Sequence, residues 1–124
     1  MVKGLGIDIV ETGRIRQVIE RHGETFLNRV FTSAERELGR RKGDTPHFYA
    51  GRWASKEAVS KALGCGIGSE CAFTEIEVLE TPIGVPLVHL HGGAAIVARQ
   101  LGGTICRVSI SHEKEYAVAT AIIE

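Results

Sequence analysis

Arg52-Trp53-Ala54-Ser55-Lys56-Glu57-Ala58-Val59-Ser60-Lys61-Ala62 is the stretch on which the reading of this chain turns. It reads as helix, and one face of that helix is unusual. At about 100° per residue, Ala50, Ala54, Glu57 and Lys61 fall within roughly 60° of one another. A carboxylate and an ammonium therefore share a strip otherwise lined by methyl groups. Room beside a carboxylate suits a metal ion or a phosphate. The same four-residue spacing is also that of an ordinary ion pair supporting a helix.

Working outward, Asp44-Thr45-Pro46 opens this long helix, with Thr45 as cap and Pro46 at the first helical position. Gly64-Cys65-Gly66-Ile67-Gly68 ends it. Upstream, Leu5 to Val10 is an apolar run broken only by Asp8, the pattern of a buried strand. A helix with apolar positions Ile15, Val18 and Ile19 follows and stops at Gly23. Phe26 to Phe31 suggests a brief second helix. Thr32-Ser33-Ala34-Glu35 is a capping-box sequence that starts a third. Downstream the period changes to two. Phe73–Leu79, Pro86–Leu90, Ile105–Ser111 and Tyr116–Ile123 read as strands, with a small-residue helix between Gly92 and Leu101. The expected architecture is α+β over one domain, residues 1–124. One strand and a helical block precede a mainly antiparallel sheet that carries one further helix.

The chain has 124 residues, 44% of them hydrophobic and 24% charged, and a formal net charge of zero. That balance fits a globular protein and argues against nucleic acid as partner. No apolar run approaches the ~18 residues of a membrane span, and the N-terminus does not read as a signal peptide. Three cysteines without a CxxC spacing read as reduced thiols, and the expected compartment is the cytoplasm.

Asp8 inside an apolar strand is costly unless paired, hydrogen-bonded or bound to a cation. Its alternative reading is a cap for the following helix, a task for which Thr12 is better placed. With Glu57, Asp8 makes a carboxylate pair of the kind that holds magnesium together with water and substrate phosphate oxygens. The five histidines are scattered. Lys61, with Ser60 beside it and the glycine run just after, is a point charge suited to phosphate. His112 ends Ser109-Ile110-Ser111-His112, where it could bind phosphate or move a proton. Arg14 and Arg21 form a basic stripe on the first helix.

Four elements together resemble the holo-[acyl-carrier-protein] synthase family of 4′-phosphopantetheinyl transferases: Gly6-Ile7-Asp8-Ile9, Gly51 to Ala58, Ser60 to Gly68, and Ser109 to His112. The likeness spans about residues 4 to 123. It implies that coenzyme A donates phosphopantetheine to a serine of apo acyl carrier protein, in fatty acid biosynthesis, releasing adenosine 3′,5′-bisphosphate. It further implies Asp8 and Glu57 as ligands of Mg²⁺ and as catalytic residues with Lys61, which would contact the diphosphate. Ser60 and the backbone around Gly64 and Gly66 would line the coenzyme A channel, with Ala50 and Ala54 as clearance. Arg52 and Arg40-Arg41-Lys42 would lie near the 3′-phosphate. His112 would reach the site from a neighbouring subunit of a homotrimer, and Arg14 and Arg21 would dock the acidic carrier. Who takes the serine proton, Glu57 through a water or water alone, stays open. Two other readings use the same residues: another Mg²⁺-dependent phosphoryl or nucleotidyl transferase, and a nucleotide-binding module without catalysis.

Overall fold

A computed structural model describes residues 1–124. Strand β1 (Gly4–Glu11) leads into α1 (Thr12–His22), α2 (Glu24–Val30), α3 (Ser33–Arg41) and the long α4 (Pro46–Leu63). A 3₁₀ turn (Phe73–Glu75) precedes the hairpin β2 (Ile76–Glu80) and β3 (Pro86–Leu90), after which come α5 (Gly92–Gln100), β4 (Cys106–His112) and β5 (Tyr116–Ile123). The antiparallel strands divide into two sheets, one ordered β1-β5-β4 and the other β2-β3. The expected α+β class holds. Phe73 to Glu75 leaves the expected strand because Glu75 turns back to accept from the Ala72 N–H, at 2.8 Å, and closes a short turn.

Helix α4 is the axle of the fold. Its N-cap Thr45 accepts from the Phe48 N–H, and Gly64 caps its C-terminus in the left-handed conformation at φ 86°, which favours glycine. It is buried nearly all round, as expected of a helix with core on several sides. The capping box at α3 forms as expected, Thr32 and Glu35 each satisfying the other's backbone N–H.

Strand β1 differs from a doubly buried strand. Leu5, Ile7 and Ile9 are exposed, while Gly4, Gly6, Asp8 and Val10 face α4. Alternation puts the polar aspartate on the inner face and the isoleucines outside. Glycine allows the inner face to lie directly on the helix backbone. A Cβ on Gly6 would collide with the Ala58 carbonyl oxygen, and one on Gly4 with that of Ala62. Gly6→Ala is therefore expected to destabilise the fold by about 2–3 kcal/mol, the cost of overpacking a close contact. Thermal unfolding measures it, and a shift near zero would mean that β1 does not rest on α4.

Candidate active site

The junction of β1 and α4 places Asp8 and Glu57 on the walls of one cleft of about 230 Å³, shared with Arg14, Phe26 and Trp53. Asp8 arrives because the glycines before it seat β1 on the helix. Glu57 arrives because α4 turns its apolar positions toward the sheet and this one toward the cleft. Both carboxylates are half-buried. Burial, and then the charge of Asp8, push the Glu57 pKa up, while Lys61 pulls it down. Two ionised carboxylates thus share a space that disfavours the second charge.

Lys61 bonds differently from the expected helix pair. Its Nζ lies 3.1 Å from Asp8 Oδ1 and donates to the Ile7 carbonyl at 3.0 Å. Its side chain is about half exposed, so the ammonium is free to exchange partners. Cation and carboxylates meet at one spot, from two elements more than fifty residues apart.

Several expected site residues stand elsewhere. Ala50 and Ala54 give no clearance: both are fully buried in the core with the inner residues of β5, Ala117, Ala119 and Ala121. Ser60 is fully buried, and its hydroxyl donates to the Glu57 carbonyl at 2.7 Å, so it is not presented to a ligand. Thr12 caps nothing, because it is already the first helical residue and its buried hydroxyl has no partner. Gly64 and Gly66 lie open, with positive φ and no atom where a Cβ would stand. His112 accompanies Ile9, Ser111 and Tyr116 in a separate groove. Its ring packs on Gly51, where a Cβ would strike it, and its Nε2 is 3.0 Å from the His47 carbonyl.

Arg52 is nearly buried. It donates to the Val78 and Leu79 carbonyls, stacks on Phe48 and lies 3.6 Å from Glu80. Lys42 meets the same Glu80 at 3.0 Å, and Arg41 lines the cavity of about 380 Å³ beside it. Arg40 instead pairs with Glu37 on its own helix. Arg41, Lys42 and Arg52 therefore converge on the edge of β2. Arg14 belongs both to the carboxylate cleft and to a shallow recess formed with Gln17 and Arg21. The basic stripe of α1 adjoins the cleft because α1 begins directly where β1 ends.

The donor set decides which metal the cleft could hold. Two carboxylates converge, and no group of three His, Cys, Asp or Glu side chains does. That excludes a closed zinc site of protein ligands. It fits Mg²⁺, a hard cation held by one or two carboxylates and completed by water and substrate phosphate.

A family model described as the 4′-phosphopantetheinyl transferase superfamily matches residues 4–121. A holo-[acyl-carrier-protein] synthase of Serratia proteamaculans is 46% identical over 123 residues, covering 99% of this chain and 98% of its own. One from Koribacter versatilis is 44% identical over 124 residues, covering 100% and 99%. Among solved structures, the Helicobacter pylori synthase in complex with coenzyme A superposes with a TM-score of 0.86 at 33% identity, over 97% of this chain and 99% of that one. The Bacillus anthracis synthase in complex with coenzyme A (3′,5′-ADP) gives 0.82 at 38%, over 100% and 97%.

Proposed function

The chain belongs to the 4′-phosphopantetheinyl transferase superfamily, and from that premise we propose that it is a holo-[acyl-carrier-protein] synthase. It would move 4′-phosphopantetheine from coenzyme A to a serine of apo acyl carrier protein, releasing adenosine 3′,5′-bisphosphate, as a step that serves fatty acid biosynthesis. One observation carries the reading: Asp8 and Glu57 line a single cleft with Lys61 bonded to Asp8, in a chain that its full-length relatives match at 44–46% identity.

Asp8 and Glu57 would hold Mg²⁺, which when bound would neutralise diphosphate charge and polarise the attacked phosphorus. The raised pKa of Glu57, set first by burial and then by the charge of Asp8, supports this, since a cation between the two carboxylates would offset both effects. Lys61 would leave Asp8 for the diphosphate, which its exposure allows. Gly64 and Gly66 offer open backbone beside Lys61 for the rest of coenzyme A. Lys42 and Arg41 are the cations suited to the 3′-phosphate, while Arg52 is held on the Val78 and Leu79 carbonyls.

Acyl carrier protein is the acceptor, and Arg14 and Arg21 are its docking stripe. Their recess opens beside the carboxylate cleft, which would bring the acceptor serine to the diphosphate. Arg14→Glu is expected to raise the KM for carrier protein about tenfold, as expected of a charge reversed across a complementary interface. An unaltered carrier KM would remove α1 from the docking surface.

The proposed assembly is a homotrimer. Leu5, Ile7 and Ile9 leave an apolar outer sheet face exposed, of the kind that marks an interaction surface. His112 lies outside its own chain's carboxylate cleft, as a residue completing a neighbour's site would.

The deciding experiment incubates the protein with coenzyme A, Mg²⁺ and an apo acyl carrier protein, then weighs the carrier. A gain of one phosphopantetheine supports the synthase. Binding of coenzyme A with no gain on several carriers would instead favour a nucleotide-binding module or a transferase with another acceptor.

A further inference from the structure

Helix α3 ends at Arg41 and α4 starts at Pro46, so Arg41 and Lys42 stand where the chain turns from one helix into the other. The turn passes through two successive left-handed residues, Gly43 at φ 90° and Asp44 at φ 54°. Asp44 is the only residue other than glycine with positive φ in the chain. A glycine would hold that angle without strain, so what Asp44 adds there is its side chain. The backbone of the turn folds back on α3: the Lys42 N–H returns to the Leu38 and Gly39 carbonyls, that of Gly43 to Arg40, and that of Asp44 to Gly39 at 2.7 Å.

The Asp44 side chain ties this turn to the core. Its Oδ1 accepts from the Tyr49 hydroxyl at 2.7 Å. Tyr49 is fully buried near the start of α4, with its ring packed on those of Phe31 and Phe48. Gly39, near the end of α3, faces the same hydroxyl, and a Cβ there would stand 2.5 Å from it. A buried phenol needs a partner, whereas an exposed aspartate could be satisfied by water. The bond therefore acts from the core outward, and what it fixes is the turn. Just upstream, Arg41 lines the cavity of about 380 Å³ with Leu79, Glu80, Thr81 and Pro82, and Lys42 lies 3.0 Å from Glu80.

We propose that Tyr49 and Asp44 are positioning residues for recognition of the coenzyme A 3′-phosphate. They hold the turn so that Arg41 and Lys42 are set beside the cavity before the ligand arrives, and neither touches the ligand. The proposal rests on the synthase reading, in which those two cations take the 3′-phosphate. Long cationic side chains on a loose turn would lose freedom on binding, a cost that a preset turn reduces. The strut therefore acts on the 3′-phosphate alone and not on the diphosphate at Asp8, Glu57 and Lys61. Its consequence is specificity, a preference for coenzyme A over the same molecule without its 3′-phosphate.

The test measures calorimetric binding of adenosine 3′,5′-bisphosphate and of adenosine 5′-phosphate to the full chain. Kinetics with coenzyme A and with its 3′-dephospho form, and thermal midpoints, accompany it. Tyr49→Phe is expected to raise the Kd for the bisphosphate and the KM for coenzyme A about fivefold, the scale of one hydrogen bond's net worth. The values for the two forms without a 3′-phosphate should not move. A merely structural role would shift both forms together. Asp44→Gly keeps the left-handed angle and loses the acceptor, so it should reproduce the effect, and it carries the test if the core variant fails to fold. Asp44→Asn loses the same charge but keeps an acceptor and tolerates positive φ, so it should bind the bisphosphate as the wild type does. Equal losses for both forms, an unchanged preference in Tyr49→Phe and Asp44→Gly, or an Asp44→Asn as impaired as Asp44→Gly would each overturn the proposal. A wild type that transfers phosphopantetheine from both forms with the same KM would remove the 3′-phosphate from this turn, and the proposal with it, leaving the synthase reading intact. If the wild type transfers none, the synthase reading falls, while the calorimetry still decides the strut.

Discussion

Glu57→Gln is expected to lower phosphopantetheine transfer about 10³-fold without unfolding the protein. Glutamine keeps the shape and removes the charge, so the loss isolates what the carboxylate does for the cation and the developing phosphoryl charge. A preorganised electrostatic group of this kind is worth about 10²–10³ in kcat, close to 4 kcal/mol at about 1.4 kcal/mol per decade. Stability should move the opposite way. Burial and Asp8 raise the Glu57 pKa in the folded chain. The folded state then binds the proton more tightly than the unfolded state, so this group's contribution is full below the unfolded value. It is lost as pH rises through the raised folded one. At neutral pH the wild type carries that penalty and the glutamine variant does not. The variant's midpoint should therefore equal or exceed the wild type's at pH 7, with the gap closing as pH falls into the carboxylate range. Thermal melts across pH and mass spectrometry of the carrier measure both halves. Retention of more than a tenth of the activity would remove Glu57 from the catalytic machinery, whereas a large fall in midpoint would make it a structural residue.

That opposition of activity and stability explains which parts of the site were legible in the sequence. Asp8 was legible because an acid in an apolar strand demands a partner. Glu57 was legible only as one half of two motifs, since its spacing from Lys61 equally fits a surface pair. The structure gives Lys61 to Asp8 instead, a contact across more than fifty residues that no helical period encodes. The alanines misled for a related reason. Helical phase put Ala50 and Ala54 on the same strip as Glu57, but both alanines are buried in the core with the alanines of β5, and small residues serve close packing as readily as they serve clearance. Strand alternation was equally silent on which face of β1 is outside, because isoleucines pointing outward look like core until the partner element is known. The element boundaries fared better, since caps, glycines and the capping box are local chemistry. Thr12 was the exception, displaced by a helix that begins one residue early.

The same silence hid the most consequential polar contact in the core. Glu35 reads as a capping-box residue, and it is one, but its carboxylate is fully buried and also accepts from the Val78 N–H at 2.7 Å and from Lys56 Nζ at 2.7 Å. Lys56, fully buried too, donates further to the carbonyls of Phe73 and Ile76. One ion pair thus ties α3, α4 and β2 together, one residue before Glu57. Lys56→Met keeps the apolar stem and deletes the ammonium, leaving a buried carboxylate with two amide donors and without its ion-pair partner. The expected loss is about 3–5 kcal/mol, the usual cost of breaking a buried pair from one side, or roughly 15 °C in midpoint for a chain of this size. Adding Glu35→Gln to Lys56→Met should restore a large part of the loss, because what destabilises is the orphaned charge more than the absent attraction. A single variant within 1 kcal/mol of the wild type, or a double variant worse than the single, would show that the pair is not what joins the helical block to the hairpin.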